Sequence, residues 1–196
     1  MQQSAVLKTL LLFAAAGAVY ACNNVKPTDK AETPAPTQAE RTKRGEYLVA
    51  GIGCDDCHSP KRMGAHGPEV ISETRFGGYP AARPVVKPDG ADLQKGYVLL
   101  GSDLTSAVGP WGISFSANIS SDETGIGAWT EQAFINAMRH GKVKGLDNGR
   151  NMLPPMPWYN FAKLTDDDLK AMFAYLKSTP PVDNSVPAPI PPTAAK

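Results

Sequence analysis

The sequence has few of the side chains from which metal and redox sites are built. Its 196 residues include only three Cys and three His, so a site with four such ligands would need most of them. It also lacks a dominant charge, since 20 Lys and Arg stand against 19 Asp and Glu. A nucleic-acid binder presents a strongly basic face, so we expect no nucleic-acid partner. Hydrophobic residues make up 42% of the chain, enough for one packed domain with tails.

The first residues have the pattern of an export signal. Lys8 gives a short positive region, and residues 9–21 (TLLLFAAAGAVYA) form an apolar run too short to span a bilayer comfortably. Residues 19–22 (VYAC) resemble a bacterial lipobox, in which Cys22 would be acylated and become the mature N-terminus. We expect a lipoprotein signal peptide over residues 1–21 and a lipid-anchored protein in the periplasm or on the outer face of the cell membrane. The alternative is an ordinary cleaved signal with an incidental Cys.

Composition divides the rest of the chain into three parts. Residues 22–40 hold three Pro among polar residues without an apolar period, which predicts a tether. Residues 41–182 carry the helical patterns and should form the folded domain. Residues 183–196 hold four Pro and should form an extended tail.

Three segments of the expected domain have helical patterns. The first covers residues 41–52. The second opens at Thr130 and ends at Gly141, and the third opens at Thr165, a good N-cap, and ends before a double proline. In the Gly- and Pro-rich segment between the first two, residues 97–100 predict a short strand paired with residues 70–76.

The most specific motif is CDDCH at residues 54–58. Two thiols three residues apart on one helical turn can reach two vinyl groups on one edge of a porphyrin and form thioethers. His58 would then lie under the ring as an iron ligand. We therefore predict one covalent haem c, attached through Cys54 and Cys57.

Two other interpretations of the cysteine pair can be weighed. A structural zinc site wants four Cys or His ligands, and beyond the motif the chain offers only His66, His140 and Cys22. A thioredoxin-like redox pair needs a βαβ context, and none is visible around residues 54–58. An export signal also favours haem, because c-type cytochromes mature outside the cytoplasm.

The second axial ligand is predicted to be a methionine. Of the six Met, one lies in the signal, Met138 and Met172 lie on helical stripes and are expected in the core, and one follows the motif too closely. Met152 and Met156 remain, in a segment stiffened by three prolines just before the last helix. We predict Met156, with Met152 as the alternative. With both axial positions filled, iron has no open site, which favours electron transfer over haem catalysis.

Together these features resemble class I-like monohaem cytochrome c domains over residues 41–182. Residues 118–120 (NIS), 124–129 (TGIGAW) and 153–157 (LPPMP) are similar to the cytochrome c subunits of periplasmic alcohol-type dehydrogenases. That group often has Thr where Ser120 stands, and it often carries two or three haems on one chain, whereas this chain has one attachment motif.

The resemblance implies an all-α cytochrome c fold, in which the N-terminal and C-terminal helices cross over the covalent haem, with an inserted loop or short β-ribbon. Gly45 and Tyr47 would meet the last helix around Phe173 and Tyr175. The carbonyl of Pro68, or alternatively of Pro60, would orient the proximal histidine.

Three further haem contacts are expected. Haem propionates need hydrogen-bond donors when they are buried, and Asn118 and Arg139 are assigned to them. The alternative for Arg139 is a solvated position on its helix. A tryptophan would pack against the ring or against the last helix. These residues are Asn118, Arg139 and Trp129.

The expected function is one-electron transfer from a dehydrogenase or quinol-side donor to a terminal acceptor, with no catalytic residue of its own. One alternative is a dedicated cytochrome subunit of a membrane-associated dehydrogenase or oxidase. An alternative of another class is a haem sensor or peroxidase-like enzyme, which needs a labile distal ligand.

Overall fold

The computed structural model describes residues 34–85, 87 and 91–192. The expected signal peptide, Cys22 and most of the expected tether lie outside these residues. The described residues from Pro36 onward form one structural unit. Within the described part, no helix is long and apolar enough to cross a membrane.

Six α-helices and five strands follow in chain order in the described residues. The helices are α1 (Gln38–Ile52), α2 (Cys54–His58), α3 (Ala91–Gln94), α4 (Glu131–His140), α5 (Trp158–Phe161) and α6 (Asp166–Ser178). The strands are β1 (Lys61–Gly64), β2 (Gly67–Val70), β3 (Leu99–Leu100), β4 (Ser106–Gly109) and β5 (Gly112–Phe115). Short 3₁₀ turns cover Ser72–Thr74 and Val143–Gly145.

Helix α1 begins ahead of the predicted Arg41. A capping box at Thr37 starts it, in which the Glu40 amide donates to the Thr37 hydroxyl at 3.3 Å and the Glu40 carboxylate accepts from the Thr37 amide at 2.8 Å. Gly53, at φ 81°, ends α1 and is followed at once by α2. The attachment motif therefore occupies a helical turn of its own.

The two later helices begin where the sequence predicts. Thr130 accepts from the Ala133 amide at 3.1 Å to start α4, and Gly141, at φ 62°, ends it. Thr165 accepts from the Asp168 amide at 3.1 Å to start α6.

Helix α1 crosses α6 at very close range. A Cβ placed on Gly45 would lie 1.9 Å from the Ala171 carbonyl oxygen and 2.8 Å from the Tyr175 Cβ, so only glycine permits this approach. The expected contact of Gly45 with the last helix is confirmed. Tyr47 is 69% exposed, so it buries little surface against that helix.

The hydrophobic core lies between α1, α4 and α6. Its buried members include Val49 from α1, Phe134 and Met138 from α4, and Leu169 and Met172 from α6. The prediction that both of these methionines belong to the core is confirmed.

Two small antiparallel sheets fill the segment between α2 and α4. Val70 pairs with Lys61 in a β1–β2 hairpin, and Leu99 pairs into β4 of a β3–β4–β5 sheet. The predicted pairing of residues 70–76 with 97–100 is therefore wrong. Each strand pairs with its neighbour in sequence, which closes a shorter loop at a lower entropic cost. The fold is mixed α and β in its described part, rather than all-α, and the strands lie in the insertion.

Candidate haem-binding site

A cavity of about 420 Å³ brings the attachment motif and the methionine segment together. Cys54, Cys57 and His58 form part of its wall, and residues 152–157 form another part. Its volume lies within the range of about 300–1,000 Å³ that is common for cofactor sites. The predicted haem ligands therefore share one space.

The wall of this cavity is mainly apolar, as a porphyrin ring requires. The core supplies side chains from α4 and α6 and from the loop before α4. These are Ile126, Trp129, Phe134, Met138, Met172 and Leu176. Trp129 is half-buried in this wall, as the expected ring contact requires.

Lys61 holds the C-terminal end of α2. Its ammonium donates to the carbonyl oxygens of Asp55 at 3.0 Å, Asp56 at 2.8 Å and Ser59 at 2.9 Å. A cation at a helix C-terminus is favourable both for the helix dipole and for carbonyls that lack intrahelical partners.

A second set of contacts ties α2 to the core. Arg75 donates to both Asp55 carboxylate oxygens, at 2.9 and 2.6 Å, and also to the Tyr175 hydroxyl at 3.3 Å. Ser59 donates to Asp55 at 2.7 Å and accepts from the Phe76 amide at 2.9 Å. Burial alone would raise the pKa of Asp55, but the Arg75 and Ser59 hydrogen bonds outweigh it and lower that pKa.

His58 presents one ring nitrogen to the cavity. Its Nδ1 lies 2.7 Å from the Ala117 carbonyl oxygen, which can only accept, so Nδ1 carries the proton. Burial lowers the pKa of His58, although the Ala117 contact opposes this, and the ring is therefore neutral at pH 7. The Nε2 lone pair is left for a metal, as in other metal-binding histidines oriented by a backbone carbonyl.

The carbonyl that orients His58 is not the predicted one. Pro68 lies exposed in β2, opposite Met63, and takes no part in the cavity wall. The carbonyl of the alternative, Pro60, accepts from the Ile71 amide at 2.9 Å. The role belongs to Ala117, which follows β5 and lines the cavity beside His58.

Both cysteines are free thiols next to this space. Burial and the neighbouring Asp55 raise the pKa of the Cys54 thiol to about 12, and burial beside Asp56 raises that of Cys57. Neutral, half-buried thiols next to an apolar cavity are poor thiolate ligands for a metal ion.

The methionine segment is fixed at two backbone positions. The Met152 amide donates to the Gly141 carbonyl at 2.7 Å, which holds the segment to the end of α4. Ser114 of β5 donates to the Pro154 carbonyl at 2.7 Å. Met152 and Met156 both line the cavity, so both remain sterically available as ligands.

Asn118 lines the cavity but does not offer a donor to it. Its amide nitrogen donates to Thr124 Oγ1 at 3.0 Å and to the Val182 carbonyl at 2.7 Å, and its Oδ1 accepts from the amide and the hydroxyl of Ser120. The expected role as a propionate donor is wrong, because the side chain, 5% exposed, is fully used in joining loops.

The Arg139 guanidinium also forms its hydrogen bonds outside the cavity. Its guanidinium donates to the Ala162 carbonyl and, at 2.6 Å, to Asp166 at the start of α6. It is absent from the cavity wall, so the expected propionate contact is wrong. Helix α4 turns this face toward α5 and α6, away from the cavity.

Two of the wall residues that the sequence does not predict bear on the function of the cavity. Arg150 is the only Arg or Lys in the described wall of the cavity. Pro189 reaches the wall from the expected tail. The signal for Arg150 is its position just before the methionine segment, whereas nothing local marks Pro189.

The histidines outside the motif lie apart from this site. His66 and His140 are exposed, and neither lines the cavity. Among the residues that the structure describes, no group of three or more His, Cys, Asp and Glu side chains is placed to share a metal ion.

Comparison with known proteins agrees with this geometry. Residues 116–180 match the cytochrome c family. The match includes the methionine segment and begins after the inserted sheets, which separate it from the attachment motif.

Two relatives match over most of this chain. Gluconate 2-dehydrogenase cytochrome c subunit of Pantoea cypripedii is 32% identical over 155 residues, which cover 76% of this chain and 26% of that protein. Alcohol dehydrogenase (quinone), cytochrome c subunit, of Gluconobacter oxydans is 40% identical over 134 residues, covering 68% and 20%.

A third relative, fructose dehydrogenase cytochrome subunit of Gluconobacter japonicus, is 29% identical over 171 residues, which cover 86% of this chain and 28% of that protein. The chain thus spans less than a third of the length of these relatives. The family match and the shared cavity both indicate a domain of the cytochrome c type. The chain therefore carries a cytochrome c domain, and haem c is the cofactor of that domain.

Proposed function

We propose that this domain is a one-electron carrier with a single covalent haem c. Cys54 and Cys57 would form the two thioethers, and His58 and Met156 would be the axial ligands. The observation that carries the proposal is the shared cavity, in which His58 turns a free Nε2 toward the space that the methionine segment also lines. Bound haem supplies a reversible Fe(III)/Fe(II) couple.

The protein's own part is to hold these ligands still. The Ala117 carbonyl fixes the plane of the imidazole. Hydrogen bonds at Met152 and Pro154 fix the backbone on either side of Leu153. Rigid ligands and an apolar wall would limit rearrangement when bound iron changes charge, and ligation by both His58 and Met156 would leave it no site for a substrate.

Arg150 is proposed as the partner of a haem propionate. Its guanidinium donates to the Asn151 carbonyl at 3.2 Å, and no carboxylate within the described residues pairs with it. The other arginines near the core, Arg75 and Arg139, already pair with carboxylates. An arginine is suited to a carboxylate because its planar fork can donate two parallel hydrogen bonds.

Electrochemistry with added ligands tests the carrier function. The haem-loaded protein should show one reversible one-electron wave and should bind CO and cyanide slowly at neutral pH. Slow binding follows from a methionine that stays on the iron. Rapid binding of either ligand by the native protein would contradict the proposal and favour the sensor or peroxidase-like alternative.

A dehydrogenase is the proposed donor, and a fixed enzyme subunit is the closest alternative to a free carrier. Support comes from the relatives, which include a gluconate 2-dehydrogenase and a quinone-type alcohol dehydrogenase cytochrome subunit. Purification from detergent extracts separates the two arrangements. A catalytic subunit that stays bound through high salt would show a fixed subunit, whereas its loss at moderate salt would show a free carrier.

Membrane attachment through Cys22 is also a proposal, based on the lipobox pattern of residues 19–22. Several acyl chains on one residue would anchor the protein stably at a membrane surface outside the cytoplasm. In the bacterial host, Cys22→Ser should move the haem-loaded protein from the membrane fraction to the soluble fraction. Unchanged membrane association of that variant would contradict the anchor.

A further inference from the structure

The tail after α6 is bound to the domain by many hydrogen bonds. The Asn184 side chain donates to the carbonyls of Gly77 at 2.7 Å and Tyr79 at 2.9 Å and accepts from the Ala81 amide at 2.8 Å. Its backbone amide donates to Thr124 Oγ1 at 3.0 Å. Asn184 thus joins the tail to two separate loops.

Further along, the tail adds a pairing partner to β5. The amide of Ile113 donates to the Ile190 carbonyl at 2.8 Å, and the amide of Ile190 donates back at 2.9 Å. Gly112, at φ 93°, makes this approach possible, since a Cβ there would lie 2.0 Å from the Ile190 oxygen. The edge of β5 that does not face β4 is therefore occupied by the tail.

The same tail segment reaches the haem cavity. Pro189, next to the paired Ile190, is part of the cavity wall. Strand β5 leads through Ser116, another wall residue, to Ala117, whose carbonyl orients His58. The tail thus contacts the cavity directly and braces the strand that precedes the histidine's partner.

We propose that residues 185–192 are a haem-covering strap, which excludes water from one side of the cavity and positions the β5 segment that holds His58. The inference rests on the proposed haem site. Pro189 supplies the covering surface, and the Ile113–Ile190 pair fixes its position. A strap of this kind raises the midpoint potential, because water stabilises the more highly charged ferric state and burial disfavours it.

Two truncations of the full chain test this role. Ending the chain after Asn184 removes Pro189 and Ile190 but keeps the Asn184 contacts. Ending it after Pro192 keeps every described contact of the tail and is the matched control. With haem attached, the first truncation should lower the midpoint potential and speed hydrogen–deuterium exchange at the Ile113 amide. The control should match the full-length protein in both.

Ile190→Pro is a second variant, for the case in which the first truncation does not fold. It removes the Ile190 amide proton, which donates to Ile113, while it leaves Pro189 in the chain. This variant should also lower the midpoint potential and speed exchange at the Ile113 amide, and both changes should be smaller than in the first truncation. Such shifts support a positioning role, since general destabilisation would speed exchange without lowering the potential.

The outcomes separate the strap from the haem site itself. An unchanged potential and unchanged Ile113 exchange in the truncated protein, with haem attached, would overturn the strap alone. A full-length protein that matures without attached haem would overturn the proposed function. A lowered potential in the control truncation would also contradict the assignment to residues 185–192.

Discussion

At the scale of single residues, one hydrogen bond and one charged side chain are central to the site. The hydrogen bond from His58 to Ala117 selects which imidazole nitrogen faces the cavity. Arg150 brings the cavity's one permanent positive charge among the described wall residues. In the proposed site the first contact leaves Nε2 of His58 for the haem iron, and the second residue would contribute to the electrostatic potential there.

Arg150→Gln should lower the midpoint potential of the haem-loaded protein. Loss of a nearby positive charge favours the ferric state, and about 1 kcal/mol of lost interaction corresponds to about 40 mV for one electron. We therefore expect a fall of a few tens of mV, measured by spectroelectrochemistry.

Arg62→Gln is the matched control for that experiment, because Arg62 is exposed on β1 and lies outside the cavity wall. Its potential should stay close to that of the unaltered protein. Equal shifts in the two variants would show a general charge effect and contradict the propionate contact.

The residues of the site differ in how far the sequence predicts them. Cys54, Cys57 and His58 follow from a spacing that the chemistry requires. Ala117 could not be found this way, since its role lies in a backbone carbonyl, which every residue has. The prediction for Asn118 failed for a related reason, because loops distant in the sequence determine which hydrogen-bond partners its side chain meets.

At the scale of elements, the crossing of α1 and α6 depends on one missing side chain. Because Gly45 has no side chain, the α1 backbone can pack directly against the Ala171 carbonyl of α6. Arg44 adds an ion pair to Asp168 at 2.9 Å at the same crossing, but the pair is half exposed and contributes little. Close packing, rather than charge, holds these helices together.

Gly45→Ala should destabilise the domain by about 1–3 kcal/mol or more, since a methyl group there must push the helices apart. Chemical denaturation of the haem-loaded protein measures this loss. Gly51→Ala is the control, because Gly51 is exposed in α1 and a Cβ there meets nothing within 4 Å.

The control should stabilise the domain by about 0.4–1 kcal/mol, since alanine restricts the unfolded chain more than glycine does. A Gly45 variant that is as stable as the Gly51 variant would contradict the close crossing.

Helices were easier to predict than strands in this chain. Thr130 and Thr165 carry their capping signal in the local sequence, so both helix starts were found. The strands of the insertion are only two to four residues long, and their pairing depends on loop closure that short apolar runs do not reveal. The pairing predicted for residues 97–100 failed on that account.

At the scale of the whole molecule, a buried carboxylate in the insertion lies beside a contact with the attachment helix. Asp103, 4% exposed, accepts from Arg83 at 2.7 Å and from the Thr105 hydroxyl at 2.8 Å. Its backbone carbonyl accepts from Lys61, the residue that also holds α2. The β-sheet insertion is thereby joined to the motif.

This network predicts how stability depends on pH. Burial alone would raise the pKa of Asp103, but hydrogen bonds from Arg83 and Thr105 outweigh it and lower that pKa. The stability that Asp103 contributes is therefore complete above its ordinary pKa of about 3.9 and is lost as pH falls through the lower folded value. The unfolding free energy should decline below about pH 4.

Asp103→Asn should weaken that acid dependence and reduce stability at pH 7 by roughly 1–3 kcal/mol, because the buried acceptor of the Arg83 and Thr105 hydrogen bonds loses its charge. Urea denaturation between pH 3 and 7 measures both effects. Asp92→Asn, at an exposed pair with Lys95, should change stability by less than about 0.5 kcal/mol. An unaltered pH dependence in Asp103→Asn would contradict this assignment.

The proposed electron-carrier function depends on one haem lying in the cavity between His58 and Met156. The absorption spectrum of the ferric protein tests this most directly, through the red-region band of a methionine bound to Fe(III). Met152, which lines the same cavity, supplies the matched variant. We predict that the band disappears in Met156→Ala and remains in Met152→Ala. A band that remains in Met156→Ala and disappears in Met152→Ala would contradict the proposed ligation.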